Sequence, residues 1–468
     1  MTIANNLNGA IAGRGAAIAN AERYFDEGDF FLELANLVAI PSESQNLAMG
    51  EFNQTYLKEE MSSLLRDLGF DVSVTKTCFG APILTAERIE APNLKTVLIY
   101  GHGDVCDPQT GAWLANLEPY SLTAVGDKFY GRGSADNKAQ HLINLRALHA
   151  VLLERKSLGF NVKVLIEMSE ETGSPGLREF VSDNRDLLSA DVLIASDGPR
   201  IEAKTPTIFL GSRSALNFDL QVVLRDRAYH SGNFGGLIAD PAIILVQAVA
   251  SITDARGQLR ISEWRPTSLT ESVRDVLSAL PPVSDGPDID PNWGEETLTP
   301  SERAFGWNSF AILAMKSGNS DAPQNAISGQ AKATCQLRFV VGTDPEDILP
   351  ALRRHLDREG FFQVEILSRK TEAFPATRTE VDGPWVQLVA ASITETHGKA
   401  PHILPNLAGS IPNDAFSNIL GLPTVWIPHS YGGCNQHAPN EHVLGSLSRD
   451  ALRNMTGVFW DIGAQTTT

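Results

Sequence analysis

Cysteine is scarce in this chain: only Cys78, Cys106, Cys335 and Cys434 occur, and no two stand at C-x-x-C spacing. That excludes a disulfide scaffold and a thiolate zinc module, and it points to reduced thiols in a cytoplasmic protein. Long apolar runs are also missing. The run Ala242–Val246 is cut by Gln247, and no stretch reaches the roughly 20 residues that a membrane span needs. The first residues lack a basic segment followed by an apolar core, so no secretory leader is expected. Positive charge is in deficit: 38 Lys and Arg against 56 Asp and Glu leave a formal net charge of −18. Such a chain is repelled by phosphate backbones and anionic lipid, so neither nucleic acid nor membrane is expected as a partner. Internal repeats and low-complexity tracts are absent.

What is present reads as two domains, because 468 residues exceed what one hydrophobic core usually serves. The opening residues, to about Ala21, are small and polar and are expected to fray. Phe30, Phe31, Leu34, Leu37 and Val38 then recur at helical spacing until Pro41. A second helix carries Leu57, Met61, Leu64, Leu65 and Leu68 and ends at Gly69. Buried strands are expected at Thr96–Tyr100, Val162–Met168 and Asp191–Ala195, alternating with helices to about Gly211. That alternation predicts an α/β fold, a mostly parallel sheet flanked by helices.

The texture changes after Gly211. A long alternating strand, Ala215–Leu224, precedes a helix opened by Asp240-Pro241. An acidic, proline-rich stretch, Leu280–Pro300, is expected on the surface; a strand at Lys332–Val340 and a helix after Asp344-Pro345 follow. This reads as a separate α+β module, so the expected division is 1–211 and 377–468 for the first domain and 212–376 for the second.

Chemistry collects where strands end. His102-Gly-Asp104 follows the Thr96 run, and Asp136 precedes a helix marked by Leu142, Leu145, Leu148 and Leu152. Glu170 and Glu171 follow the Val162 run, with Ser174 and Pro175 expected as the cap and first position of another helix. Asp197 follows the Asp191 run, and His437 follows a short strand at Thr424–Ile427. In α/β sheets, ligand sites lie beyond the carboxyl ends of strands. A carboxylate two residues after a histidine can fix that ring's tautomer. Singly, Asp136 reads as a helix cap, the glutamates as a solvated loop and His230 as a turn residue beside Gly232. Together, two imidazoles and several carboxylates suit Zn²⁺, or Mn²⁺ or Co²⁺. There are donors enough for two cations, with one carboxylate bridging and one spare as general base.

These stretches resemble, in order, the motifs of the co-catalytic zinc metallopeptidases, the family of aminoacylase, carboxypeptidase G and carnosinase. The matching segments are His102-Gly-Asp104, Gly131-Arg-Gly-Ser-Ala-Asp136-Asn-Lys, Glu170-Glu171-Thr-Gly-Ser, Ser196-Asp197-Gly and His437-Ala-Pro-Asn-Glu. His230-Ser-Gly-Asn-Phe-Gly-Gly and Gly409-Ser-Ile-Pro-Asn are similar to the dipeptidase and carnosinase branch. The resemblance runs from about Phe30 to the last residues. It implies that His102 and Asp197 hold one cation, Glu171 and His437 the other, and that Asp136 bridges them ahead of a cis peptide to Asn137. Asp104 would orient His102 and Glu170 would act as general base. The inserted smaller domain would be a lid that pairs two subunits into a homodimer, with His230 reaching the partner's site to stabilise the oxyanion. Arg338 would take a substrate carboxylate, its plainer reading being a surface ion pair. Asn325 and the Gly409–Ser410 backbone would be further substrate contacts. Ala139 departs from the family's usual glycine, and His442 is an extra histidine expected to be structural.

The activity so implied is hydrolysis of an amide bond in a small peptide or N-acyl amino acid, by a hydroxide bridging the two metals. Two alternatives stand beside it. One is hydrolysis of a non-peptide C–N bond (carbamoyl, ureido or aryl amine, with release of ammonia). The other is a non-catalytic metal-bound scaffold.

Overall fold

Short apolar runs rich in Val, Ile and Leu cannot face water on either side, so they form the middle of a covered sheet. The computed structural model describes residues 2–281, 288–369 and 374–465. They form two compact units: Met1–Gly211 with Thr379–Leu404 and Pro412–Thr468, and Ser212–Arg378 with Pro405–Ile411.

The first unit is built on an eight-stranded sheet. Its order is Asp71–Lys76, Pro82–Arg88, Asn161–Glu167, Thr96–His102, Val192–Ala195, Thr424–Trp426, Thr207–Phe209, His402–Leu404. The central pairs run parallel: Thr96–His102 lies between Asn161–Glu167 and Val192–Ala195, and Thr424–Trp426 continues beside the latter. Helices Lys138–Arg155 and Gly445–Gln465 pack together against this unit's core. No helix among the described residues is long and apolar enough to cross a membrane.

Two expectations are corrected here. From Gly13 on the opening residues do not fray: there the helix Thr2–Asp26 packs on Gly445–Gln465 and buries Ala17 and Ala21. Its small residues are what allow the close approach. A Cβ on Gly13 would sit 2.8 Å from the Trp460 ring. Next to it, Arg14 donates to the Asp461 carboxylate and to Thr396 Oγ1. Ser174 is not a helix cap either. Its hydroxyl donates to buried Glu167, and the following helix starts at Leu177 behind Gly176.

The second unit is a four-stranded antiparallel sheet in the order Ser309–Ser317, Gln330–Phe339, Ser214–Val223, Glu365–Ser368. After exposed Gln330, the strand Gln330–Phe339 alternates between buried and half-buried residues, as a strand covered on one face must. Phe218, Leu220, Val222, Ala333, Cys335 and Leu337 form that face, and helices Pro241–Ile252 and Ile348–Arg358 cover it with Leu245, Val249, Leu352 and Leu356. Strand Ser309–Ser317 has no polar–apolar alternation; it forms an edge and exposes Ile312, Leu313 and Met315. Within the stretch Leu280–Pro300, residues 282–287 lie outside the described residues; Ile289 and Trp293 are exposed, whereas Leu298 is buried.

Candidate metal centre

The strand Thr96–His102 ends on a fully buried imidazole. Because its neighbours run parallel and in register, His102 beside Glu167 and Tyr100 beside Ala195, the loops after all three strands open at one end of the sheet. That is how Ser169–Ser174 and Ser196–Gly198 come beside His102. The turn after His102 needs glycine: a Cβ on Gly103 would lie 2.3 Å from the Tyr56 ring and 2.8 Å from Met168 Sδ.

His102 Nε2 lies 3.0 Å from Asp136 Oδ1 and 3.6 Å from Asp197 Oδ2. His437 Nε2 lies 3.1 Å from Asp136 Oδ2 and 3.1 Å from Glu171 Oε2. Asp136 therefore turns one carboxylate oxygen toward each histidine. The Asp136–Asn137 peptide is cis. Asp104 sits 3.3 Å from His102 Nδ1 and accepts the backbone N–H groups of Glu170 and Glu171. One buried carboxylate thus orients the first imidazole and pins the turn carrying both glutamates.

The electrostatics set several buried carboxyls against two imidazoles. Burial, then the Asp136 charge, pushes the Glu171 carboxyl up to about 7, and the same two causes push Asp197 up to about 6. Burial, with Asp197, Glu171 and Asp136 nearby, holds Glu170 well above the usual carboxylate range. Burial would raise Asp136 as well, but bonds to both histidines outweigh it and hold it low. Bonds to Asp136 and Glu171 raise His437. Burial opposes a charge on His102, yet Asp104 and Asp136 prevail and raise it well above its ordinary value. Divalent cations would balance this cluster of carboxylates. The donor set therefore fits such ions, hard oxygens with imidazole nitrogens. Two groups among the described residues bring their donor atoms within 4.8 Å of one another: His102, Asp136 and Asp197, and Cys106, Glu171 and His437.

Sequence reasoning missed several supports. Glu441 accepts from Gly133 N, Ala135 N, Asp136 N and the Arg132 guanidinium, and so shapes the loop that delivers Asp136. Buried Glu167 accepts from Tyr100, Ser169 and Ser174. Cys106 joins the second donor group, where burial and then Glu171 push its thiol up to about 12. A glutamate inside the His437 motif was the available signal for Glu441. His442 bonds to Tyr431 Oη and to the Asn440 carbonyl.

The remaining candidates lie in the second unit. His230 is exposed and pairs through its strand with Ala326; the Asn325 carbonyl accepts from Ser231 N. Arg338, on Gln330–Phe339, reaches the Ala408 carbonyl at 3.5 Å, beside Gly409. Ser410 Oγ donates to the Arg213 carbonyl. Arg213, not anticipated, is buried; its guanidinium donates to Ala304 O and Ser309 Oγ. Burial, then the nearby Arg338 charge, pulls its pKa down to about 10. Among the described residues, neither arginine has a carboxylate within ion-pair distance.

A parallel sheet whose strand ends gather imidazoles and carboxylates around two centres defines a metal-binding α/β protein. The family model for peptidase family M20/M25/M40 matches residues 98–461, and the chain belongs to that family. It is 37% identical over 183 residues to the beta-Ala-His dipeptidase of Mus musculus, covering 38% of this chain and 37% of the dipeptidase. The chain thus matches little more than a third of that relative's length. It is 24% identical over 356 residues to the cysteinylglycine-S-conjugate dipeptidase of Corynebacterium striatum, covering 75% of this chain and 77% of that one. Among solved structures, the M20 family metallo-carboxypeptidase Sso-CP2 from Sulfolobus solfataricus aligns with a TM-score of 0.74 at 26% identity, over 93% of this chain and 99% of that one.

Proposed function

We propose that this chain is a metal-dependent hydrolase that cleaves the amide bond of a small peptide or N-acyl amino acid, with Zn²⁺ as its cation. One observation carries the reading: the two oxygens of Asp136 face His102 and His437 separately. Membership of a peptidase family and similarity to two dipeptidases support it.

Asp197 and His102 would hold one cation, Glu171 and His437 the other, with Asp136 between. Two bound cations would polarise the scissile carbonyl and acidify the attacking water. Glu170, half-buried on the turn anchored by Asp104, takes that water's proton and passes it to the leaving amine. Asp104 and Glu441 keep the histidine and the loop in place. Arg338, with Arg213 close by and no carboxylate within ion-pair distance of either among the described residues, binds the substrate's carboxylate; Asn325 and the Gly409–Ser410 backbone complete that contact. The first unit is the catalytic domain and the second a lid. The lid pairs two copies, a reading supported by the apolar edge strand Ser309–Ser317 and by exposed Ile243 and Val246 on Pro241–Ile252. In the dimer, His230 supplies the oxyanion donor. The free cysteines favour a cytoplasmic location.

The test is a panel of dipeptides and N-acyl amino acids offered to metal-reconstituted protein, with product identification. An amino acid should be released. Ammonia alone, from carbamoyl or ureido compounds, would overturn the substrate reading. Glu170→Gln should keep both cations and lower kcat by about 10²- to 10⁴-fold.

A further inference from the structure

Cys106 belongs to no motif, yet it stands in the second donor group. Its sulfur, a Glu171 oxygen and a His437 nitrogen lie within 4.8 Å of one another. Donors about 2.0–2.3 Å from a zinc ion lie no more than roughly 4.6 Å apart, so a single ion can reach all three after small shifts. The side chain is buried, and its sulfur makes no hydrogen bond among the described residues.

Its backbone is held from both sides. Before it, Val105 N donates to Ser42 O, and Val105 O accepts from Ser44 N. After it, the Asp107 carbonyl accepts from Arg132, the same guanidinium that is anchored on Glu441. Glu441 also grips the Asp136 backbone N–H. The thiol and the bridging carboxylate are therefore positioned by one network.

We infer that Cys106 is a ligand of the cation held by Glu171 and His437, making the two metal positions chemically unequal. This rests on the two-cation reading above. The first position offers only imidazole and carboxylate; the second adds a soft sulfur, which favours Zn²⁺ over Mn²⁺ or Mg²⁺ there. On binding, the sulfur–metal bond forms, the S–H bond breaks and its proton leaves to solvent. No electron is transferred.

The experiment uses the full chain stripped of metal and reloaded with Co²⁺ or Zn²⁺. The cobalt form should show a sulfur-to-cobalt charge-transfer band in the near ultraviolet. The zinc form should show a sulfur scatterer at about 2.3 Å in X-ray absorption. Cys106→Ser should lose both signals, and Cys434→Ser should keep both. Two cations bound per chain with neither signal would overturn the role of Cys106 and leave the two-cation reading intact. Failure to bind a second cation would sink both.

Discussion

The two units bury charge in opposite senses. In the first, Asp136, Glu171 and Asp197 converge with only imidazoles within ion-pair distance among the described residues. In the second, buried Arg213 and half-buried Arg338 lie near each other without a carboxylate in ion-pair distance among the described residues. Buried like charges are costly unless something of opposite sign arrives. The second unit also holds a counter-example: Asp219, buried on the central strand, is paired with Lys332 and Arg369 and bonded by Thr334. Compensated charge of that kind builds structure. On the function proposed above, uncompensated charge, acid in one unit and base in the other, would mark where a ligand of opposite sign belongs: metal cations in the first, a substrate carboxylate in the second.

The largest expected effect removes the shared acid. Asp136→Ala should lose both cations by elemental analysis and abolish turnover, exceeding the ten- to hundredfold loss typical of residues that only support a ligand. Glu441→Gln, which only positions the Asp136 loop, should stay within that smaller range. Two cations retained by Asp136→Ala would break the contrast drawn for the first unit.

Acid should do the same reversibly. Metal and protons compete for the same donors, and metal-free Glu171 and Asp197 are pushed up to about 7 and about 6. Cation affinity should therefore fall as pH drops through about 7 and then about 6, and recover when pH is raised. Dialysis at a series of pH values with metal analysis reads this directly. Metal retained unchanged at pH 5 would contradict it.

For the basic cluster the expected effect is smaller. Arg338→Ala should raise KM about ten- to a hundredfold for substrates with a free carboxylate, the worth of one hydrogen bond to a charged group. It should leave kcat for an amidated substrate nearly unchanged. Equal losses for both substrates would make Arg338 a structural residue and end the parallel between the units.

Glu170, Glu171 and Asp197 were legible because each stands just past a short apolar run, and buried parallel strands bring such ends together; Asp136 was marked by the helix it precedes. His102, Asp136, Glu171, Asp197 and His437 needed no more than that pattern and the family resemblance. Of their supports only Asp104 was read from the sequence. Arg132 and Glu441 are 309 positions apart, and although Glu441 lies inside the His437 motif, nothing local pairs it with Arg132. Cys106 read only as one of four scattered reduced thiols, since the fold alone brings it to Glu171 and His437. Nothing in the sequence singled out Arg213; that it has no acid partner among the described residues is a property of packing. The opening helix was misread because small residues suggest fraying in a sequence, whereas at Gly13 they permit a close helix contact with Trp460. The edge strand Ser309–Ser317 escaped because both its faces are largely exposed, which leaves no alternation to detect.

The smallest effect concerns Asp219, where charge is already matched. Burial opposes its ionisation, but bonds to Lys332, Arg369 and Thr334 prevail and lower its pKa to about 2. A lowered folded-state pKa gives stability that is present above the unfolded carboxylate value, about 3.9, and is lost as pH falls through about 2. Lys332 and Arg369 are nearly half exposed, so water screens much of the pairing. Asp219→Asn should cost about 1–2 kcal/mol at neutral pH in urea unfolding of the metal-loaded chain. The gap to the parent should close as pH drops toward 2, and at neutral pH cation content and KM should match the parent's. If Asp219→Asn instead shifted cation binding or KM, paired and unpaired charge could no longer be told apart by function.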